Sequence, residues 1–457
     1  MTLFRLGGAA LALALCLLMT PAAFSQSTAQ STDTRVQELE REVRKLKEEI
    51  AAMKQSPEGS APGSEAGRLA EIERRLEILA AEIEKTKIGE AAVSADESDY
   101  GLGPAASKIY RTERGLSIGG YGEILYQKFD DERDNGTASG RKDQFDLLRG
   151  ILYFGYKWND RFLFNTEIEY EHAGEEVAVE FAYLDYLWRP EANFRAGLVL
   201  LPMGFINELH EPTVFLGANR PQIERIIIPS TWRENGVGLF GEAGPVSYRT
   251  YVVNGFDASG FASGGLRGGR QNGGQANAED MAWVGRLDFT GVPGFLVGGS
   301  AYVGNSGQGL AGGSVDVGTQ ILEGHLEWRW RGLELRALGV QADLDDVTAL
   351  NAALGFTGNQ SVGEKLTGHY LQLGYDVLAG RGGESALIPY ARWETYNTQD
   401  EVPSGFLSNP ANDVESLTLG LAYKPIEQLI LKADYQDVDN EAGTGIDQLN
   451  VLLGYVF

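Results

Sequence analysis

The sequence is poor in two residues on which much enzyme and metal chemistry relies, with one Cys and four His in 457 residues. Cys16 lies in a leader expected to be removed, so the mature chain should contain no thiol. That excludes disulfides, zinc-finger spacings and cysteine nucleophiles. His172, His210, His325 and His369 are scattered, and no GxSxG elbow stands near any of them, so no hydrolase triad, metal site or cofactor is expected. Positive charge is also scarce. Against 39 Lys+Arg stand 64 Asp+Glu, a formal net charge of −25, which argues against nucleic acid as a partner. After Met19 no apolar run approaches the ~20 residues that a membrane-spanning helix needs.

What the chain has in quantity is Gly, 59 residues, with 19 Phe, 19 Tyr and 7 Trp. The Gly share is nearly double the usual ~7% and suits a sheet with many tight turns. Residues 1–25 read as a secretory signal. Arg5 supplies the charged start, Leu6 to Met19 the apolar stretch, and Ala23-Phe24-Ser25 a small-x-small cleavage site before Gln26. A lipoprotein signal using Cys16 fits less well, because Leu15 stands where a small residue is needed and Cys16 lies inside the apolar stretch.

The segment 34–89 is patterned in heptads. Val36, Leu39, Val43, Leu46, Ile50 and Met53 make one a/d seam, and Leu69, Ile72, Leu76, Leu79 and Ile83 a second. Between them 57–67 (PEGSAPGSEAG) breaks the helix. Charges crowd the remaining positions, which favours a coiled coil over a helix lying on the main domain or a folded-back hairpin. Residues 90–115 read as a polar linker.

From Leu116 to Phe457 the period changes to two. In 317–330, Leu322, Gly324, Leu326, Trp328 and Trp330 share one face, and Thr319, Glu323, His325, Glu327 and Arg329 the other. The same alternation marks 162–170, 281–289, 415–424 and 428–436. Strands are expected at 117–129, 144–158, 161–171, 177–189, 193–201, 235–243, 246–254 and 281–290. They continue at 295–304, 317–330, 333–343, 366–378, 387–398, 415–424, 428–437 and 447–457. Tight turns such as Pro190-Glu191-Ala192-Asn193 and Arg331-Gly332 alternate with long polar loops. Apolar faces with aromatic ends, opposite faces carrying charge, and loops long on one side only suit an all-β transmembrane barrel of sixteen antiparallel strands. A soluble sandwich could not bury those charges unpaired. The chain ends in Leu449, Val451, Leu453, Tyr455 and Phe457, an apolar strand that would be an open edge unless it closed on the first. That ending, Tyr455 and Phe457 in particular, resembles the signal read by the outer-membrane barrel assembly machinery.

As a set, the segments LLRGILYFGYKWNDRFLFNTEIEYE, AYLDYLWRP, FRAGLVLLPMGF and PSTWRENGVGLFGEAGPVSYRTYVVNG resemble the phosphate- and polyphosphate-selective porin family of Gram-negative outer membranes. The resemblance implies a passive diffusion channel in outer-membrane lipid and lipopolysaccharide, usually a homotrimer. It also implies a third loop folded into the lumen, inward arginines that attract anions such as phosphate, and a helical segment in the periplasm.

The charge pattern departs from that family. Residues 116–457 carry 24 Lys+Arg and 46 Asp+Glu. Alternation points Arg149, Arg195, Arg249, Arg286, Arg329, Arg336, Arg392, Lys424 and Lys432 inward. It also points inward Glu167, Glu169, Glu171, Asp288, Glu323, Glu327, Glu334, Asp376, Glu394 and Asp434, so the lumen is mixed rather than a basic ladder. The long loop 202–234 holds Glu208, His210, Glu211, Arg220, Arg225, Arg233 and Glu234; it reads as a constriction, or else as a loop packed at a subunit interface. The pore-lining candidates are therefore Arg149, Arg195, Arg220, Arg225, Arg233, Arg249, Arg286 and Arg392, opposed by Glu167, Glu169 and Glu171. The acidic loop Asp130, Asp131, Glu132 and Asp134 is either a cation site near lipopolysaccharide or simply solvated. The expected function is a porin for small polar solutes with at most modest anion preference. The competing reading is an envelope tether whose barrel anchors a coiled coil, 34–89, in contact with the cell wall.

Overall fold

The structure, a computed structural model, describes residues 98–381 and 383–457 together with Arg41 and Lys45, both helical. The chain divides into two units, Met1–Ala92 and Val93–Phe457. The expected leader 1–25 and the heptad segment 34–89 with its break at 57–67 lie outside the described residues, those two positions excepted.

The second unit holds sixteen strands. They are β1 (Gly115–Phe129), β2 (Gln144–Lys157), β3 (Phe162–Glu171), β4 (Glu176–Arg189), β5 (Ala192–Leu200), β6 (Arg233–Ala243), β7 (Val246–Asn254) and β8 (Met281–Val292). The second half comprises β9 (Phe295–Asn305), β10 (Gly318–Trp330), β11 (Leu333–Leu344), β12 (Lys365–Tyr375), β13 (Ala386–Glu401), β14 (Asp413–Ile426), β15 (Leu429–Asn440) and β16 (Gln448–Val456). Each pairs antiparallel with its chain neighbours, and β16 pairs with β1, closing the barrel. Closure leaves no open edge, so the backbone of every strand is hydrogen-bonded within the wall. Turns at 158–161, 190–191, 244–245, 293–294, 331–332 and 427–428 are tight. Arg331 and Gly332 both take positive φ, 48° and 87°, as a two-residue hairpin requires. At the opposite end the connections are long, the longest spanning 201–232 and 255–280, with 172–175 a short exception.

The two faces of each strand agree with the alternation in the sequence. Leu287, Trp330 and Leu419 are more than half exposed, whereas Arg392, Lys432 and Glu394 are at most 1% exposed. A wall that is apolar outside and charged inside is the reverse of a soluble protein and matches lipid around a wet lumen. Exposed aromatics cluster near the tight-turn end, where Tyr156 packs edge-on against Trp158, Phe162 lies 5.0 Å from Tyr186, and Trp328 stacks on Trp330.

The seam between first and last strands uses small residues. Phe457 N–H donates to Gly120 O at 2.9 Å, and Gly120 N–H donates to Phe457 O at 3.0 Å. A Cβ on Gly120 would fall 2.8 Å from the Phe457 ring, and one on Gly122 would fall 2.5 Å from the Tyr455 ring. Glycine there lets both C-terminal aromatics lie flat across β1.

The interior is not a plain tube. Residues 98–112, read as part of a linker, are packed inside: Leu102, Ala105, Ala106 and Ile109 are nearly fully buried, and Lys108–Arg111 form one helical turn. The connection 201–232 is buried along most of its length and joins an apolar cluster in which Ile223, Ile227 and Trp232 contact wall and loop residues such as Tyr302, Phe256 and Tyr370. Arg233 and Glu234, expected in this loop, instead open β6, because they continue the β5 ladder opposite Leu200 and Val199.

Candidate pore constriction

The loop 201–232 crosses the lumen from β5 to the far wall, held mainly through its backbone. The Ala218 N–H donates to Asp434 on β15 at 2.7 Å, and the Gln222 N–H to Glu394 on β13 at 2.8 Å. Cationic side chains of the wall bind its carbonyls. Arg286 reaches Gly204 O, Arg336 reaches Val214 O at 3.2 Å, Lys432 reaches Gly217 O at 2.9 Å, and Arg392 reaches Asn219 O at 3.3 Å. Lys432 also sits 3.6 Å from the Phe215 ring centroid. These bonds satisfy backbone groups that water would otherwise serve, which is how an irregular chain survives at membrane depth. Inside the loop, Glu224 accepts from the Ile206 N–H at 2.6 Å and from the Tyr370 hydroxyl at 2.7 Å. Burial raises the Glu224 carboxyl, and those two donors oppose the rise.

The loop separates two lumenal cavities. One, about 720 Å³, opens toward the tight turns and includes Gly244, Gly332 and Asp376; the other, about 640 Å³, opens toward the long loops and includes Arg141, Ala411 and Thr444. Phe215 lines both, so it marks the narrow level between them.

Most inward arginines are neutralised at close range. Arg149 pairs with Glu123 at 2.6 Å, Glu171 at 3.0 Å and Glu169 at 3.4 Å. Arg249 pairs with Asp288 and Glu208, Arg286 with Asp288, Arg233 with Glu180, and Arg392 with Glu394. Arg195 lines neither cavity. It forks onto Asp185 at 2.9 and 3.0 Å, stacks between Tyr183 and Phe240, and donates to the Tyr110 hydroxyl at 2.6 Å. It holds the inner segment 98–112 near Tyr110, and the middle of that segment is gripped where the Ala105 and Ala106 N–H groups donate to Glu211 at 3.0 and 3.1 Å. Replacing Arg195 with Leu would leave Asp185 buried without its counter-charge. The expected loss is about 3–5 kcal/mol, read as a lower urea midpoint, together with protease cleavage at Arg111.

Two of the expected arginines differ from the rest. Arg220 and Arg225 on the loop line the long-loop cavity, and among the described residues neither forms an ion pair. Arg267, from the 255–280 connection, joins them and donates to the Arg225 and Ser230 carbonyls. Burial first, then the Arg270, Arg225 and Arg220 guanidinium groups, push Arg267 down to about 9. A guanidinium stays protonated at neutral pH, so this cluster holds like charges together at a cost that an anion would relieve. Arg267 was not legible in the sequence, where a Gly-rich loop gives no sign of its path back to the lumen. Of the expected acidic residues, Glu171 lines this cavity on Arg149, Glu169 is held by Arg149, and Glu167 points away to His210.

A closed sixteen-stranded barrel with a loop laid across its lumen is the fold of outer-membrane porins. It is similar to OmpF of Salmonella typhi in complex with daunomycin, at TM-score 0.50 and 13% identity, over 76% of this chain and 99% of that one. The outer membrane channel DcaP of Acinetobacter baumannii gives TM-score 0.48 at 12% identity over 75% of this chain and 97% of that one. An anion-selective porin from Comamonas acidovorans gives 0.44 at 11% identity over 76% and 100%. No protein-family profile matches the chain. It is 38% identical over 350 residues to an uncharacterized protein of Aquifex aeolicus strain VF5, covering 73% of this chain and 78% of that protein. The chain belongs to the family of that Aquifex aeolicus protein.

Proposed function

We propose that this protein is an outer-membrane channel for passive diffusion of small polar solutes, with a modest preference for anions. The observation that carries the reading is the trio Arg220, Arg225 and Arg267, unpaired among the described residues, on the long-loop side of a loop that narrows the lumen. Low-dielectric walls focus the field of such charges onto whatever enters, while charges more than ~8 Å away are screened at physiological salt. The acidic surplus of the barrel therefore weighs less than these three groups. Phosphate fits the chemistry of paired guanidinium donors, and it belongs here as one candidate among small anions. On the resemblance to the phosphate-selective porins, the protein is further proposed to be a homotrimer inserted by the barrel assembly machinery, with 34–89 in the periplasm.

Purified protein in planar bilayers tests the reading. Stepwise conductance and a reversal potential shifted toward the anion in a KCl gradient are expected. Strong cation preference would overturn the basic constriction, and absence of any conductance would leave the barrel as an anchor for the heptad segment.

A further inference from the structure

Beside the constriction, the loop meets the wall through three fully enclosed groups. His210 on the loop is 2% exposed, and Glu167 on β3 and Glu180 on β4 are not exposed at all. His210 Nε2 lies 3.1 Å from Glu167 Oε1 and 3.4 Å from Glu180 Oε2, and the candidate donor atoms of all three residues fall within 4.8 Å of one another. The other ring nitrogen, Nδ1, is 3.1 Å from the Asn207 carbonyl, which can only accept, so Nδ1 carries a proton. Nε2 then faces two carboxylates. If it is unprotonated, its lone pair opposes theirs; if protonated, its single N–H serves one of them. Glu167 Oε2 and Glu180 Oε2 are buried and have no hydrogen-bond partner. Arg233 engages Glu180 through the other oxygen, Oε1, at 3.2 Å.

We propose that Glu167, Glu180 and His210 form a binding site for a first-row divalent cation of the zinc class, which ties the lumen-crossing loop to the barrel wall. Three donors bound to such an ion at about 2.0–2.1 Å in a tetrahedral arrangement stand roughly 3.3 Å apart, close to the two separations seen at Nε2. An imidazole nitrogen with two carboxylate oxygens suits zinc better than calcium or magnesium, which take oxygen alone. The carbonyl on Nδ1 is the outer partner that orients a metal-bound histidine. One ion would engage Nε2, Glu167 Oε1 and the orphaned Glu180 Oε2 together, which no single proton can do. Because the next residue, Glu211, grips the inner segment through Ala105 and Ala106, the ion would fasten loop, wall and inner segment at one point. The sequence offered no such site, since its residues come from a loop and two strands and lack any recognisable ligand spacing.

The test uses the full-length protein in detergent, stripped with chelator and titrated with Zn²⁺ alone. One ion per chain should bind, with an imidazole signature in the X-ray absorption spectrum of the loaded, unsubstituted protein. His210→Ala and Glu180→Gln should each weaken binding at least about tenfold. His369→Ala, whose ring lies on the outer wall beside Trp393, should bind like the parent. Failure of the parent to bind, a spectrum without imidazole, or undiminished binding by His210→Ala would overturn the site. Because His325 also lies between two carboxylates, Asp288 and Glu323, the spectrum alone does not place the ion. Should His210→Ala fail to fold, His210→Gln in its place should lose the binding, and undiminished binding by it would overturn the site.

Discussion

Replacing Arg220 and Arg225 together with Glu should convert the proposed anion preference of the pore into a cation preference. Both side chains line the long-loop cavity beside Phe215, and neither has an acidic partner to absorb the change among the described residues. The double variant alters local charge by four units while leaving the wall ion pairs intact. Two unit charges 4 Å apart interact by roughly 1 kcal/mol even in bulk water, so the anion-to-cation permeability ratio should fall by at least about tenfold. Reversal potentials in a salt gradient measure it. A ratio unchanged by the reversal would place the selecting charges elsewhere, with Arg267 in the same cavity and Arg249, Arg286 and Arg336 in the tight-turn cavity the remaining candidates. Restoring either arginine alone should recover part of the shift, because both face the same space.

Deleting Phe457 should reduce the yield of folded barrel far more than it changes the conductance of those barrels that form. The residue exchanges two backbone hydrogen bonds with Gly120 and lays its ring across the first strand. In lipid those groups have no water to turn to, and each unsatisfied one costs several kcal/mol. The loss falls on the one seam that joins the first and last strands of the barrel. Heat-modifiable mobility on gels reports the folded fraction, and single-channel recording reports the survivors. Equal yield from the truncated and full chains would remove the closing strand from the assembly argument.

How much of this was legible beforehand differs between wall and interior. Strand number, strand limits and inward faces follow from a period of two, because lipid on one side and water on the other give adjacent residues opposite polarity. Trp328 and Trp330 against Glu323 and His325 are enough to orient β10. The inward arginines could be named for the same reason, but their state could not. Alternation points Arg149, Arg195 and Arg249 into the lumen, yet each is locked onto acidic neighbours. Arg220 and Arg225, on a loop without periodicity, turned out to be the open charges.

By itself the sequence determined the class of fold, the polarity of each face, the even strand count that returns both barrel ends to one side, and the presence of a long, unusually apolar third loop. Only the tertiary structure decided where that loop runs, that residues 98–112 enter the barrel, and which charge neutralises which. Arg392 meets a carbonyl 173 positions away, Tyr370 a carboxylate 146 away, and His210 its partner Glu167 43 away. Periodicity is a local property that each strand expresses alone, whereas charge pairing depends on distance in space, and closing a barrel brings distant parts of the chain within a few ångströms.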